Sequence, residues 1–463
     1  MNIYALILAL IVGAVFFIAI EIIHWINLIG RNKIMDFKRD VKKSKKGNIK
    51  QTVEGDKTFL GISPNNEEIY IPNNAKHMFV CGTTGSGKTV ALSNFIDSGM
   101  KYDYPMLIID GKGDIGPDSI LDIVQKIKKK RSVNRKLYLI NMNDPVSSDK
   151  YNPFKNTSPT VVKDMLMSMT DWSEEHYKLN VDRYLGRLIG MIEKAGIEIS
   201  FKSIVENMSS DKFLLLSAKL EKDGVITKQE NVSNIEMIKT SENIVEGSFA
   251  RFSTIIESEL GSIFDETGVD ILTSVRDNAI ILFILNPLTY PEISPLIGNL
   301  IIIDSKKAIS GLFGADIERT FFIFDEINVY ADKQLINLVN KSRSANITSI
   351  LATQSLSDLD EAAGEYFKEQ VIENCNNYIV LRQNSDVNAE KFASIIGTRN
   401  CMDITYQIKS DGGTTSDTGL GSMKPTREFL YHPDEIKNLL TSEAIFISKD
   451  TGYHSRVDIN KPF

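Results

Sequence analysis

At 463 residues, with 42% hydrophobic and 24% charged side chains, the chain is long and apolar enough for one large core plus a smaller domain, which excludes disorder as its ground state. A formal net charge of −7 excludes a surface that coats nucleic acid indiscriminately. The three cysteines, Cys81, Cys375 and Cys401, lack the paired spacing of a zinc site or a disulfide framework and fit a reducing compartment.

Residues 1–30 read as a membrane anchor. Ile3 to Ile20 carries no charge, and the apolar stretch runs on past Glu21 and His24 to Ile29, enough to cross a bilayer. A cleaved signal peptide is the rival, but no basic residue precedes the run and no small-x-small cleavage site is evident. Residues 31–50 form a basic linker with nine Lys/Arg against Asp36 and Asp40, a net of +7 that leaves about −14 for the rest. Positive flanks stay in the cytoplasm, so the expected location is the cell membrane, single-pass, with the bulk of the chain cytoplasmic. A topology determinant on anionic headgroups is preferred here to a DNA-binding arm. Any nucleic acid would lie in a locally basic channel or loop set.

Two domain parts and an insertion follow. Residues 51–158 read as the first part of a nucleotide-binding domain, with strands at Glu67–Tyr70 and Met78–Cys81, a helix over Val90–Ser98, and buried-type strands at Met106–Asp110 and Leu137–Asn141. Residues 159–261 show helical spacing and almost no strand-like run, the pattern of an all-helical inserted domain. Residues 262–463 return to the α/β rhythm, with strands at 279–285, 321–324, 347–352, 377–381 and 443–448. Asp411–Ser422, rich in Gly, Thr and Ser, reads as a mobile loop.

The chemistry begins after the strand Met78–Cys81. Gly82-Thr83-Thr84-Gly85-Ser86-Gly87-Lys88-Thr89 matches G-x-x-x-x-G-K-S/T between a strand and a helix, the context a phosphate-binding turn requires. Its backbone N–H groups and the helix N-terminus suit the phosphates of ATP, Lys88 the β and γ phosphates, and Thr89 a Mg²⁺ ion. Phe321–Phe324 ends in Asp325 and Glu326, placing a carboxylate for Mg²⁺ (Asp325) beside a general base (Glu326). The strand Ile347–Ala352 delivers Gln354 to the same C-terminal sheet edge, as a sensor of the γ phosphate and attacking water; an ordinary strand-end amide is the alternative. Arg343, before that strand, is the first candidate for a finger acting on a neighbouring subunit's nucleotide, and Arg382 the second. From spacing alone, Asp110 and Lys112 in Ile109-Asp110-Gly111-Lys112-Gly113 stay unassigned between a site role and a plain turn.

These segments resemble the coupling-protein ATPases of type IV secretion systems, of the TraD/TraG type within the FtsK/HerA group. The resemblance rests on the P-loop, Asp110-Gly-Lys-Gly, Tyr151-Asn152-Pro153-Phe154, Phe324-Asp325-Glu326, Ala352-Thr353-Gln354-Ser355-Leu356, Asn377 to Arg382, and His432 to Lys437. It implies an α/β, RecA-like P-loop NTPase with a mostly parallel sheet, an all-helical inserted domain and an N-terminal transmembrane helix. It also implies a homo-hexamer that couples ATP hydrolysis to DNA translocation during conjugation. The partners it implies are a relaxase-bound single DNA strand and the channel proteins of the secretion system. Many such relatives carry two membrane spans with an intervening outer domain, whereas this sequence reads as having one. The rival functions are an FtsK-like double-stranded DNA translocase, a secretion or assembly ATPase acting on protein, and a tethered nucleotide switch.

Overall fold

In the computed structural model, residues 13, 15–26, 53, 55–74, 77–169, 172, 174–314, 318–411 and 414–463 are described. The basic linker 31–50 and most of the apolar segment before it lie outside the described residues. Residues 15–26 are helical with exposed side chains, and among the described residues no helix is long and apolar enough to cross a membrane.

The chain divides into two units. One comprises Thr52–Phe392 with Pro433–Phe463, the other Met1–Gln51 with Ala393–His432.

The larger unit is built on a sheet of eleven strands among the described residues, in the order β2-β1-β13-β12-β9-β3-β8-β7-β4-β6-β5. Seven of these are mutually parallel: β3 (Met78–Cys81), β4 (Met106–Asp110), β5 (Leu137–Asn141), β6 (Ile280–Ile284), β7 (Thr320–Asp325), β8 (Ile347–Thr353) and β9 (Asn377–Leu381). Most are fully buried short runs of β-branched and aromatic residues, as strands covered on both faces must be. β12 (Glu443–Ser448), β13 (Tyr453–Ile459), β1 (Lys57–Ile62) and β2 (Glu68–Pro72) extend the sheet antiparallel beyond β9.

Helices cover both faces. α1 (Lys88–Lys101) and α2 (Ile120–Lys130) bury Leu92, Phe95, Ile123 and Ile127 against Val80, Ile108 and Ile323. Between β5 and β6 come α3 (Pro159–Ser168), α4 (Glu175–Lys194), α5 (Phe201–Met208), α6 (Ser210–Lys222) and α7 (Lys228–Ile256), then the short α8 (Ile271–Arg276). These helices have their own core, where Tyr184 meets Phe213 edge-on at 5.2 Å. α7 starts on a capping box in which Thr227 and Glu230 satisfy each other's backbone N–H.

Tyr151 ties the two ends of the insertion together. It forms parallel bridges to Phe264 and Val269, and its hydroxyl donates to Asp304 Oδ2 at 3.0 Å on α9 (Ile293–Leu312). Beyond β6 follow α10 (Lys333–Ser342), α11 (Leu356–Ala363), α12 (Glu365–Asn374) and α13 (Asp386–Ile396), with α14 (Pro433–Lys437) just before β12.

In the smaller unit, β10 (Thr398–Asp411) and β11 (Thr414–Phe429) pair as a long antiparallel hairpin. This corrects the loop expected over Asp411–Ser422: Thr414–Ser422 is ladder. Glycine and aspartate weaken a strand signal without preventing cross-strand pairing.

Candidate active site

Because β3, β4, β7, β8 and β9 run parallel, their C-terminal ends emerge on one edge, and the register brings the phosphate-binding turn, Asp325, Glu326 and Gln354 there, with Arg382 but without Arg343. The turn after β3 is stitched to both neighbours. Gly82 N–H donates to the Thr353 carbonyl at 3.3 Å, and Thr83 N–H to that of Arg382 at 3.0 Å. A Cβ on Gly82 would lie 2.6 Å from Leu381 Cβ, and Gly87 adopts φ 107° with the Ser442 backbone 3.0 Å from where its Cβ would stand. Both positions therefore demand glycine.

α1 begins at Lys88 with neither a side-chain cap nor an acid in its first turn, so its N-terminal N–H groups and positive dipole end are left for an anion. Thr83 Oγ1 and Ser86 Oγ are buried without a partner, and Thr89 lies half-buried on the first helical turn.

Lys88 Nζ donates to the Gly82 carbonyl at 2.9 Å and stands 3.4 Å from Glu326 Oε1. Gln354 Nε2 donates to the same Glu326 oxygen at 3.1 Å, while Thr84 Oγ1 donates to Gln354 Oε1 at 2.9 Å. One chain of contacts thus joins the phosphate-binding turn, the acid after β7 and the amide after β8. Glu326 reaches this position with φ 48°, a left-handed conformation that a glutamate adopts only when its surroundings impose it.

Asp325 is 3% exposed and stands in register with Asp110 on β4, itself buried. The Gly111 N–H donates to the Asp325 carbonyl at 3.2 Å, and Asp110 Oδ1 accepts from the N–H groups of Lys112 and Gly113. Asp110 is therefore part of the acidic cluster, and its side chain holds the turn packed under Asp325. Composition near Asp110 could hint at this, but the partner strand lies some 200 residues away in sequence. Lys112 is half-exposed and pairs with Asp114.

Burial pushes Asp325 well above the usual carboxylate range, the Glu326 and Asp110 charges push it further, and Lys88 opposes them. Burial likewise raises Asp110 to about 6. Three carboxylates face one ammonium, and Asp325 Oδ1 and Glu326 Oε2 are buried with no hydrogen-bond partner. Such a donor set suits a hard cation whose remaining ligands are phosphate oxygens and water.

Arg343 lies elsewhere. It is exposed, caps α10 and precedes β8, so it stands at the opposite sheet edge from Gln354. The seven residues of β8 span about 20 Å at ~3.3 Å each, beyond the reach of one side chain. Arg382 is half-buried at the end of β9, on the nucleotide edge.

A model of the FtsK/SpoIIIE family matches residues 41–113, covering the phosphate-binding turn, and a model described as the TraM recognition site of TraD and TraG matches residues 319–440, covering Asp325, Glu326 and Gln354. The chain belongs to the TraD/TraG-type, FtsK-like P-loop ATPases. An uncharacterised protein of Mycoplasma pneumoniae is 33% identical over 116 residues, 25% of this chain and 75% of that one. The fold of this chain is similar to that of the bacterial conjugative coupling protein TrwB lacking its N-terminal residues, with TM-score 0.60 and 15% identity over 88% of this chain and 89% of that one. TrwB in complex with ADP and Mg²⁺ gives TM-score 0.59 at 16% identity, covering 90% and 92%.

Proposed function

We propose that this ATPase is a membrane-anchored DNA translocase, a coupling protein that delivers relaxase-bound DNA to a type IV secretion channel. The observation that carries the reading is the contact chain Thr84–Gln354–Glu326–Lys88, which gathers a phosphate site, a general base and a water-orienting amide at one sheet edge. A motor needs these groups together, and the TraD/TraG family match supplies the kind of cargo.

In this reading Lys88 and the N–H groups of residues 82–89 bind the ATP phosphates. Thr89 and Asp325 would hold Mg²⁺, which when bound would neutralise charge on the phosphoryl oxygens. Glu326 takes the proton of the attacking water at Oε2, the oxygen with no protein partner, and Gln354 orients that water from the β8 side. Arg343 stands exposed at the sheet edge opposite its own phosphate-binding turn, which suits a role in trans on the neighbouring subunit of a homo-hexameric ring. The apolar segment 1–30 anchors the ring, with the basic run 31–50 on the cytoplasmic side. A protein recognised through the C-terminal matched region, of the kind named for TraD and TraG, is the expected link to the DNA-processing complex.

ATP turnover of the detergent-extracted chain, measured with no DNA and with single- or double-stranded DNA, tests this. DNA should stimulate turnover, and Lys88→Ala should abolish it in every condition. Turnover that ignores every form of DNA would replace translocation of DNA with a protein-directed or switching role.

A further inference from the structure

At the sheet edge opposite the nucleotide, His77, the residue preceding β3, is buried among groups that belong to the Arg343 turn. Its Nδ1 accepts the Ser349 N–H of β8 at 3.1 Å. Nε2 therefore carries the proton and faces Ser342 Oγ at 3.4 Å. Ser342 Oγ also donates to the Val339 carbonyl at 3.0 Å and lies 3.3 Å from Ser349 Oγ. Ser342 is the last residue of α10, and Arg343 follows it directly. The turn closes with Asn346 N–H donating to the Arg343 carbonyl at 3.1 Å and Thr320 N–H to that of Asn346 at 3.2 Å, which ties it to the start of β7. The His77 carbonyl accepts from the N–H groups of Asn376 and Asn377 at 3.2 and 3.3 Å, fixing the imidazole's backbone to β9 as well.

His77, Ser342 and Ser349 lie at the edge away from the nucleotide turn and take no part in binding it. Yet β3, which starts beside His77, ends at Gly82, and β8, which His77 grips through Ser349, ends at Gln354. The arginine's base and the P-loop's base are thus bolted to the same two adjacent strands.

We propose that His77 is a positioning residue for Arg343, holding the turn that presents the guanidinium to a neighbouring subunit in fixed relation to this subunit's own P-loop strand. The inference rests on the reading that Arg343 acts in trans. Through this clamp a shift of β3 and β8 at one nucleotide is carried rigidly to the arginine offered to the next, with no intervening flexible loop. Misplacing a catalytic group by about an ångström costs on the order of 100-fold in rate, so a loosened turn should be visible in turnover while leaving binding alone.

The test is subunit mixing. His77→Ala should bind ATP with wild-type affinity but turn it over ten- to 100-fold more slowly. Mixed with Lys88→Ala subunits it should regain activity, because its P-loop is sound and the other subunit supplies a well-placed arginine. Mixed with Arg343→Ala subunits it should regain none. Ser342→Ala, which removes a single hydroxyl from the clamp, should act in the same direction and keeps the test open if His77→Ala does not fold. Weakened ATP binding by both variants, or no rescue by Lys88→Ala subunits, would overturn the proposal and leave His77 a packing residue of β3. The underlying reading fails separately, if Arg343→Ala and Lys88→Ala subunits do not complement each other.

Discussion

Lys88 and Glu326 face each other across the phosphate-binding turn at 3.4 Å, both buried, with Gln354 bonded to the same carboxylate oxygen. The lysine that must bind phosphate is thus paired with the carboxylate that must take a proton. Glu326→Gln keeps the shape and removes the charge that competes for Lys88. It should bind ATP at least as tightly as wild type while hydrolysis falls about 10²- to 10⁴-fold, the usual worth of a general base. Equilibrium ATP binding and single-turnover hydrolysis on the same preparation check this, and unchanged turnover would remove Glu326 from the role of base.

Gln354→Ala breaks the links to both Thr84 and Glu326 and should bind ATP yet hydrolyse it slowly. Normal turnover would make the amide structural.

Gly87 combines φ 107° with a near approach of the Ser442 backbone. Gly87→Ala should cost about 1–3 kcal/mol at the turn and weaken ATP binding at least tenfold, while the rest of the sheet stays folded. Nucleotide titration alongside far-ultraviolet circular dichroism separates the two effects. An alanine variant that binds normally would mean that the turn can open away from Ser442.

Burial pushes the imidazolium of His77 down to about 4 from its ordinary 6.5; the hydrogen bond to Val339 opposes this and the Arg343 charge adds to it. The folded pKa lies below the unfolded one, so between the two the unfolded chain binds a proton that the folded chain refuses. The stability involved is fully present above pH 6.5 and drains away as pH falls towards 4, on the order of 3 kcal/mol in all. Denaturation midpoints between pH 7 and 4.5 should show this loss in wild type and a flatter profile in His77→Gln. Identical profiles would show that the ring titrates freely.

Lys307 pairs with Asp304 at 2.9 Å and Asp270 at 3.2 Å, where Tyr151 joins the base of the insertion to α9. Removing the lysine strands a fully buried carboxylate, so Lys307→Met should cost about 3–5 kcal/mol. Tyr151→Phe, which removes one hydrogen bond, should cost about 1 kcal/mol. Urea denaturation gives both values, and a small effect of Lys307→Met would mean that Asp304 takes up a proton in compensation.

The parts of this site that could be read from the chain are those encoded locally. Each parallel strand is a short apolar run with functional residues at or just past its C-terminal end, or across the glycine-rich turn for Lys88, so the sequence order points Lys88, Asp325, Glu326 and Gln354 to one edge. What stayed hidden depended on partners distant in sequence. Asp110 gains its meaning from standing opposite Asp325, and His77 from contacts with Ser342 and Ser349. β1 and β13 give weak strand signals: both are antiparallel and only partly buried, Lys57–Ile62 opens on Lys57 and Thr58 and contains Gly61, and Tyr453–Ile459 interleaves charged and polar residues. The β10–β11 ladder escaped because strand pairing compensates for weak intrinsic propensity.

A structure of the chain with a non-hydrolysable ATP analogue and Mg²⁺ bears most directly on the convergence of these groups. The triphosphate is expected within residues 82–89, with the metal between Thr89 and Asp325 and the γ phosphate facing Glu326 and Gln354. An analogue bound elsewhere, or a γ phosphate that Glu326 and Gln354 both turn away from, would contradict it.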